Sequence, residues 1–446
     1  MAGVTLLTPP TELLGCFLTP GQPEALRDWY ASHASTCDQA IVSLDMMAFG
    51  GLVASRNPRT SLETAQSQLD AFLSIQGPPV LAFQSILRTA PTQTSAEDVE
   101  WASMLMALSQ ARDPDEIEQL KRAVPPSRLA AYRAVRERNH ALNRWVVERV
   151  SQGRLAGLLL GIDDSKTRGW NVDEIHALEP LAEGLPVWIT PGTDESAQLL
   201  LIRAVARERQ LELVWSHPEL PGCVTAYEDR TLGRLLQAQL AAAGLVAVES
   251  HARKLLIHGR LGPQAEARNQ VPQPVEPGFL EALSDQSVVA DVAYANGGDL
   301  SLLTALRQRD LLTGLWGYSA WNTAGNTIGT ALASLSLGDG SEVGRRFLAE
   351  RIGDDGLYQA VHRQEIQAEL GHPGLTLSPA ELARARQWLG GPFLNQWSDW
   401  VEPLYRGTDL ALQARGDNPV SGSPSRASLR FDLPWQRLFE VSLEAL

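Results

Sequence analysis

Asp163 and Asp164 are adjacent carboxylates that directly follow an apolar run, residues 155–162. Two carboxylates held side by side repel each other, which raises one pKa and leaves an acid beside a base. The same oxygens could instead hold a hard divalent cation. Other polar motifs stand in the same place relative to an apolar run. They are Asp45 in Ser43-Leu44-Asp45, Asp194 and Glu195 in Pro191-Gly192-Thr193-Asp194-Glu195, Asn296 and Asp299 in Asn296-Gly297-Gly298-Asp299, and Trp321-Asn322-Thr323 with Asn326 beyond. Arg56 lies after the glycines that follow Asp45, and Arg88 ends another apolar run. Trp321 beside two amides offers a ring face and hydrogen-bonding groups of the kind that hold sugars. Each motif also has a plain structural reading. Asp163-Asp164 suits a turn, and Thr193, Asp194, Asp299, Asn322 and Thr323 suit helix caps. His217 and the run Tyr227-Glu228-Asp229 are secondary candidates.

The apolar runs read as buried strands at residues 39–42, 79–86, 155–162, 185–189, 211–215, 245–248, 254–258, 288–295 and 315–319, with helical patterns between them. A weak strand is expected at 14–18, and Asn171 with Glu174 is expected to cap a helix. Strands that alternate with helices imply a mostly parallel sheet. In such sheets the carboxyl ends of the strands gather on one side, and ligands bind there. About ten strands exceed the eight of a simple barrel. Two consecutive doubly wound α/β units are therefore expected, with a TIM-like barrel plus a small α/β unit as the alternative. The first unit spans 1–205, with a helical insertion at 95–152, and the second spans 206–335. Residues 336–446 read as a helical region, with helices at 342–363 and 379–397. A Gly/Pro/Ser-rich linker at 417–426 and a short hairpin tail anchored by Pro434 and Trp435 complete it.

The chain has 446 residues and a formal net charge of −14, which disfavours nucleic acid and anionic membrane as partners. Three cysteines at wide spacing, Cys16, Cys37 and Cys223, give neither a disulfide framework nor a CxxC metal pair. No signal peptide is evident, and no apolar run approaches the about 18 residues that span a bilayer. These features set a cytoplasmic expectation. Neither GxGxxG nor GxxxxGK[ST] occurs around Gly50-Gly51, so NAD and ATP are not expected. A zinc site is not expected from the histidine spacing, nor a serine hydrolase without a Gly-x-Ser-x-Gly elbow.

The strings Ser43-Leu44-Asp45-Met46, Phe49-Gly50-Gly51-Leu52-Val53-Ala54-Ser55-Arg56 and Gly161-Ile162-Asp163-Asp164 occur in order with Pro191-Gly192-Thr193-Asp194-Glu195, Asn296-Gly297-Gly298-Asp299 and Trp321-Asn322-Thr323-Ala324-Gly325-Asn326. Together they resemble the bacterial family called domain of unknown function 4127, over almost the whole chain to Leu433-Pro434-Trp435. The resemblance implies site positions rather than a reaction. Relatives usually begin with a further strand bearing a Leu-Asp-Asp-Arg-Pro type motif, whereas this chain starts after it. The resemblance thus implies a truncation or a misassigned start.

The residues together favour a carbohydrate hydrolase of the glycosidase kind, because paired carboxylates cleave glycosidic bonds. Asp163, Asp164, Asp194 and Glu195 are the expected catalytic groups. Asp45, Arg56, Arg88, Asn296, Asp299, Trp321, Asn322 and Asn326 are expected to bind a small molecule or oligosaccharide, with no metal or other cofactor. One alternative is a hydrolase or isomerase in which Asp45, Asp163 and Asp194 hold Mg²⁺ or Mn²⁺. Another is a sugar-binding protein without catalysis. The oligomeric state is left open.

Overall fold

The computed structural model describes residues 3–405 and 429–445. Two parallel sheets dominate it. The first has strands β1 (Ala40–Ser43), β2 (Val80–Ile86), β3 (Gly157–Ile162) and β4 (Val187–Pro191), in that order. The second has β5 (Gln210–Trp215), β6 (Val246–Val248), β7 (Lys254–His258), β8 (Ser287–Asp291) and β9 (Leu315–Ser319), ordered β6-β5-β7-β8-β9. Neither sheet closes on itself, so the α/β expectation of two mostly parallel units holds and the barrel alternative does not.

The side-chain alternation of the strands shows how the layers stack. Leu158, Leu160 and Ile162 of β3 face an outer core with the helices Leu44–Phe49, Leu62–Leu73, Pro126–Ser151 and Trp170–Ala182. Leu159 and Leu81 face the other way, into a core that also holds Leu255, Ile257, Val288 and Ala290 of the second sheet. Three helices fill that inner layer: Ser196–Val205, Leu232–Ala243 and Ala324–Leu337. Leu256 and Val289 point away from it, into a third core with the C-terminal helices. The chain is thus layered helix, sheet, helix, sheet, helix, and both sheets share the middle layer.

Several local expectations are corrected. Residues 14–18 form a tight turn, with one bridge between Cys16 and Thr19, because Gly15 bends the chain there. The helix Trp170–Ala182 starts after Gly169, and buried Asn171 donates to Ser165 Oγ at 2.8 Å instead of capping it. β8 ends at Asp291, and the apolar residues 292–295 are a buried loop. The pattern at 342–363 is a helix, Glu342–Arg351, continued by a π-helical stretch, Ile352–His362. The pattern at 379–397 is likewise interrupted by a π-helical turn, Leu389–Phe393. The tail pairs β10 (Leu429–Asp432) with β11 (Ser442–Ala445) as an antiparallel hairpin. The linker at 417–426 lies outside the described residues.

Candidate functional site

Ile86, Ile162 and Pro191 are level across the first sheet, so the residues just beyond them emerge side by side. Arg88, Asp163, Asp164 and Asp194 are those residues, and Asp45 follows β1 in the first turn of the helix Leu44–Phe49. Ser43 caps that helix and Gly50 ends it in the left-handed conformation, which sends the chain back so that Arg56 returns to the cluster. Arg56 Nη2 pairs with Asp163 Oδ2, and Arg88 Nη1 reaches Asp164 Oδ2 at 2.8 Å. Asp45 Oδ2 accepts from Ser85 N at 2.9 Å and from Ser85 Oγ at 2.7 Å.

These carboxylates are driven apart in protonation. Burial raises the pKa of Asp163, but Arg56 and Arg88 overcome it and hold Asp163 below the ordinary range. Burial and the charge of Asp163 raise Asp164 against the pull of Arg88. Enclosure by protein, then the charges of Asp163 and Asp164, push Asp194 up to about 6. Water still reaches Asp194, which weakens the cost of enclosure and leaves the two like charges as the main reason it keeps its proton. Burial likewise raises Asp45 to about 6, with Ser85 opposing.

The second sheet faces the same space. Ser165, next to Asp164, donates its backbone N–H to Tyr227 O at 2.8 Å, which ties the two edges together. Tyr227 donates its hydroxyl to Glu266 Oε1 at 2.6 Å, and Asn296 Nδ2 donates to Glu266 Oε2 at 2.8 Å. Lys166 Nζ lies 5.0 Å over the Tyr227 ring. Asn296 and Asn322 both have positive φ, 56° and 49°, and Asn296 N donates to Asn322 O at 2.8 Å. Asparagine takes the left-handed region more readily than most residues, so both positions suit tight turns. Trp321 Nε1 is committed to Thr330 Oγ1 at 3.0 Å.

The family described as protein of unknown function (DUF4127) matches residues 1–444. The chain belongs to that family. No curated protein and no solved structure matches it. The DUF4127 assignment supports the common origin of the strand-end motifs and leaves the chemistry to their geometry. Among the described residues, no group of three or more His, Cys, Asp or Glu side chains is arranged to hold a metal ion.

Not every expected residue joins the cluster at the edge of the first sheet. Glu195 is fully buried in the middle layer, where Oε1 accepts from Gln239 Nε2 at 2.8 Å and Oε2 accepts from Asn326 Nδ2 at 2.7 Å. Gly192 and Gly329 leave the space it fills, since a Cβ on Gly329 would lie 2.3 Å from Glu195 Cγ. Burial pushes Glu195 up to about 8, and Glu228 beside it also to about 8. Asn326 is spent on Glu195. Asp299 is buried as the cap of the helix Leu300–Gln308, accepting from Ser301 N at 2.8 Å.

Asp299 belongs to a network that sequence reasoning missed. Its Oδ2 meets His258 Nε2 at 3.0 Å and also pairs with Arg260, while Asp299 N donates to Asp291 Oδ2 at 2.7 Å. Tyr318 donates its hydroxyl to the same Asp291 oxygen at 2.8 Å. Asp355, from the π-helical stretch, accepts from Ala320 N at 2.7 Å and from Arg351 Nη1 at 2.8 Å. His258 and Asp291 end β7 and β8, so strand ends were the available signal. Asp355 carried none.

Proposed function

We propose that this protein is a hydrolase that acts on a carbohydrate-like, hydroxylated small molecule by acid–base catalysis at the carboxyl edge of the first sheet. The observation that carries the reading is the divergence of three neighbouring carboxylates. Asp163 stays ionised beside Arg56, whereas Asp194 keeps a proton up to about 6 and remains open to water. A protonated acid next to a carboxylate is the arrangement that splits a glycosidic C–O bond. In this mechanism Asp194 gives its proton to the departing oxygen. Asp164, held by Arg88, takes a proton from the attacking water. The water adds to the carbon that lost the oxygen, two hydroxyl products form, and proton exchange resets the pair. Arg56 and Arg88 keep Asp163 and Asp164 in place. Asn296, Asn322, Tyr227 and Glu266 supply donors and acceptors for hydroxyl groups on the opposite wall.

Turnover of a panel of aryl glycosides by the full chain tests this. Asp164→Asn and Asp194→Asn should each lower kcat by ~10²-fold or more, the scale of lost proton transfer. Activity should fall as pH rises through about 6, because Asp194 then loses the proton it must donate. That limb should vanish in Asp194→Asn. Loss of turnover in EDTA, restored by Mg²⁺ or Mn²⁺, would instead assign the carboxylates to a metal. Unchanged turnover in both variants would remove them from the chemistry.

A further inference from the structure

Arg363, at the end of the π-helical stretch, is only 7% exposed, yet its Nε and Nη1 have no hydrogen-bond partner. Among the described residues it forms no ion pair, and its guanidinium lies 4.9 Å over the Phe439 ring as its one aromatic contact. An enclosed guanidinium normally finds a carboxylate, because a buried charge left unmatched is strongly unfavourable. Ala360 and Val361, just before it, pack with Ala267, Ala293 and Tyr294, which sets Arg363 beside the Tyr227–Glu266–Asn296 wall, and burial pulls its pKa below the ordinary value against Tyr358, Glu266 and Asp354. Arg268 acts on Tyr227, as does Asp164 across the cleft. Lys166 stands over the same Tyr227 ring. Arg268 and Lys166 likewise form no ion pair among the described residues. The carboxylates that act on Arg363 are already engaged, Glu266 by Tyr227 and Asn296 and Asp354 by Arg351 and Gln359. Arg363, Arg268 and Lys166 thus stand on this wall without an ion-pair partner of their own among the described residues, in a chain whose net charge is −14.

We propose that Arg363, with Arg268 and Lys166, forms an anion subsite on the second-sheet side of the cleft, so that the ligand is a hydroxylated molecule bearing one carboxylate or phosphate group. The guanidinium fork suits either group through paired N–H···O bonds. The flanking Phe439, 40% exposed, offers an apolar face beside the charge. The subsite deepens the hydrolase reading by naming its substrate class, and it rests on that reading only for the reaction performed next to it.

Calorimetric titration of the full chain with glucuronate, glucose 6-phosphate and glucose reads the subsite directly. At least one acidic probe should bind about tenfold or more tightly than glucose, and added salt should erode the difference. Whichever acidic probe gains more identifies the group as carboxylate or phosphate. Arg363→Met should abolish the preference while leaving glucose binding intact. It should not lower the Tm of the free protein, since it removes an unmatched buried charge. Arg268→Gln, an exposed change that spares the fold, should reduce the preference in part. Equal binding of all three probes, or a preference that survives Arg363→Met, would overturn the subsite. Asp164→Asn and Asp194→Asn should bind the preferred acidic probe as well as the natural chain does. If they do so yet turn over substrate normally, the hydrolase reading fails while the subsite stands. If turnover depends on them but no acidic probe is favoured, the subsite alone fails.

Discussion

The carboxyl edges of the two sheets hold similar residues and use them in opposite ways. At the first edge, Asp163 and Asp164 pair with Arg56 and Arg88, and Asp164 and Asp194 reach water. At the second, Asp291, Asp299 and Asp355 are fully buried, and backbone N–H groups of Asp299, Ser301 and Ala320 hold them. The difference comes from what lies above each edge. The π-helical stretch roofs the second sheet: Gly298 N donates to Asp355 O at 2.9 Å. At the first edge Asp164 and Asp194 stay open to water. A strand end offers a place for chemistry, and the covering element decides whether that place becomes a site or a joint.

Removing a carboxylate from each edge should therefore have unequal effects on stability. Asp299→Ala leaves His258 and Arg260 without their shared partner and removes a helix cap. It should cost ~3–5 kcal/mol, the scale of a broken buried pair, read as a large drop in the urea midpoint. The joint between the edges should show a smaller, pH-dependent effect. Burial keeps a proton on Glu195 up to about 8, against an ordinary value near 4.5. The folded chain therefore holds a proton that the unfolded chain releases, and stability falls as pH rises from about 4.5 through about 8. Glu195→Gln, neutral throughout, should lessen the dependence of Tm on pH between those limits and leave the remaining slope to Glu228, Asp355, Asp45 and Asp194. An unaltered slope would mean that Glu195 is ionised in its pocket. The smallest effect is expected at the open edge. Asp164→Asn should change stability by about 1 kcal/mol or less, because its partner Arg88 is partly hydrated. A cost matching that of Asp299→Ala would erase the contrast between the edges.

The strand positions were legible because Val, Leu and Ile runs in parallel sheets are continuous and bounded by turn residues. Asp163, Asp164, Asp194 and Arg88 were legible for the same reason, since each follows a run, and Arg56 through the glycine turn after Asp45. The roles of Asp194 and Glu195 were not, because neighbours at a helix start point in different directions. One faces water and the other the middle layer. Asp291 was hidden because residues 292–295 stay apolar after the strand has ended, which makes the aspartate look like an interruption. Arg363, Asp355 and Glu266 lie on segments with no strand pattern, and only the folded chain shows what they meet.

The shared middle layer also sets an order for biosynthesis. The inner face of the first sheet, finished by Pro191, is covered by the helix Ser196–Val205 together with Leu232–Ala243 and Ala324–Leu337. Residues 192–337 must therefore leave the ribosome before that face is closed. At ~5–20 residues per second, this takes on the order of ten seconds. During that interval Leu81 and Leu159 border an unfinished apolar surface on a nascent chain. The amino-terminal half is thus the part of this protein most dependent on chaperones, and a fragment ending near residue 205 should aggregate where the full chain does not.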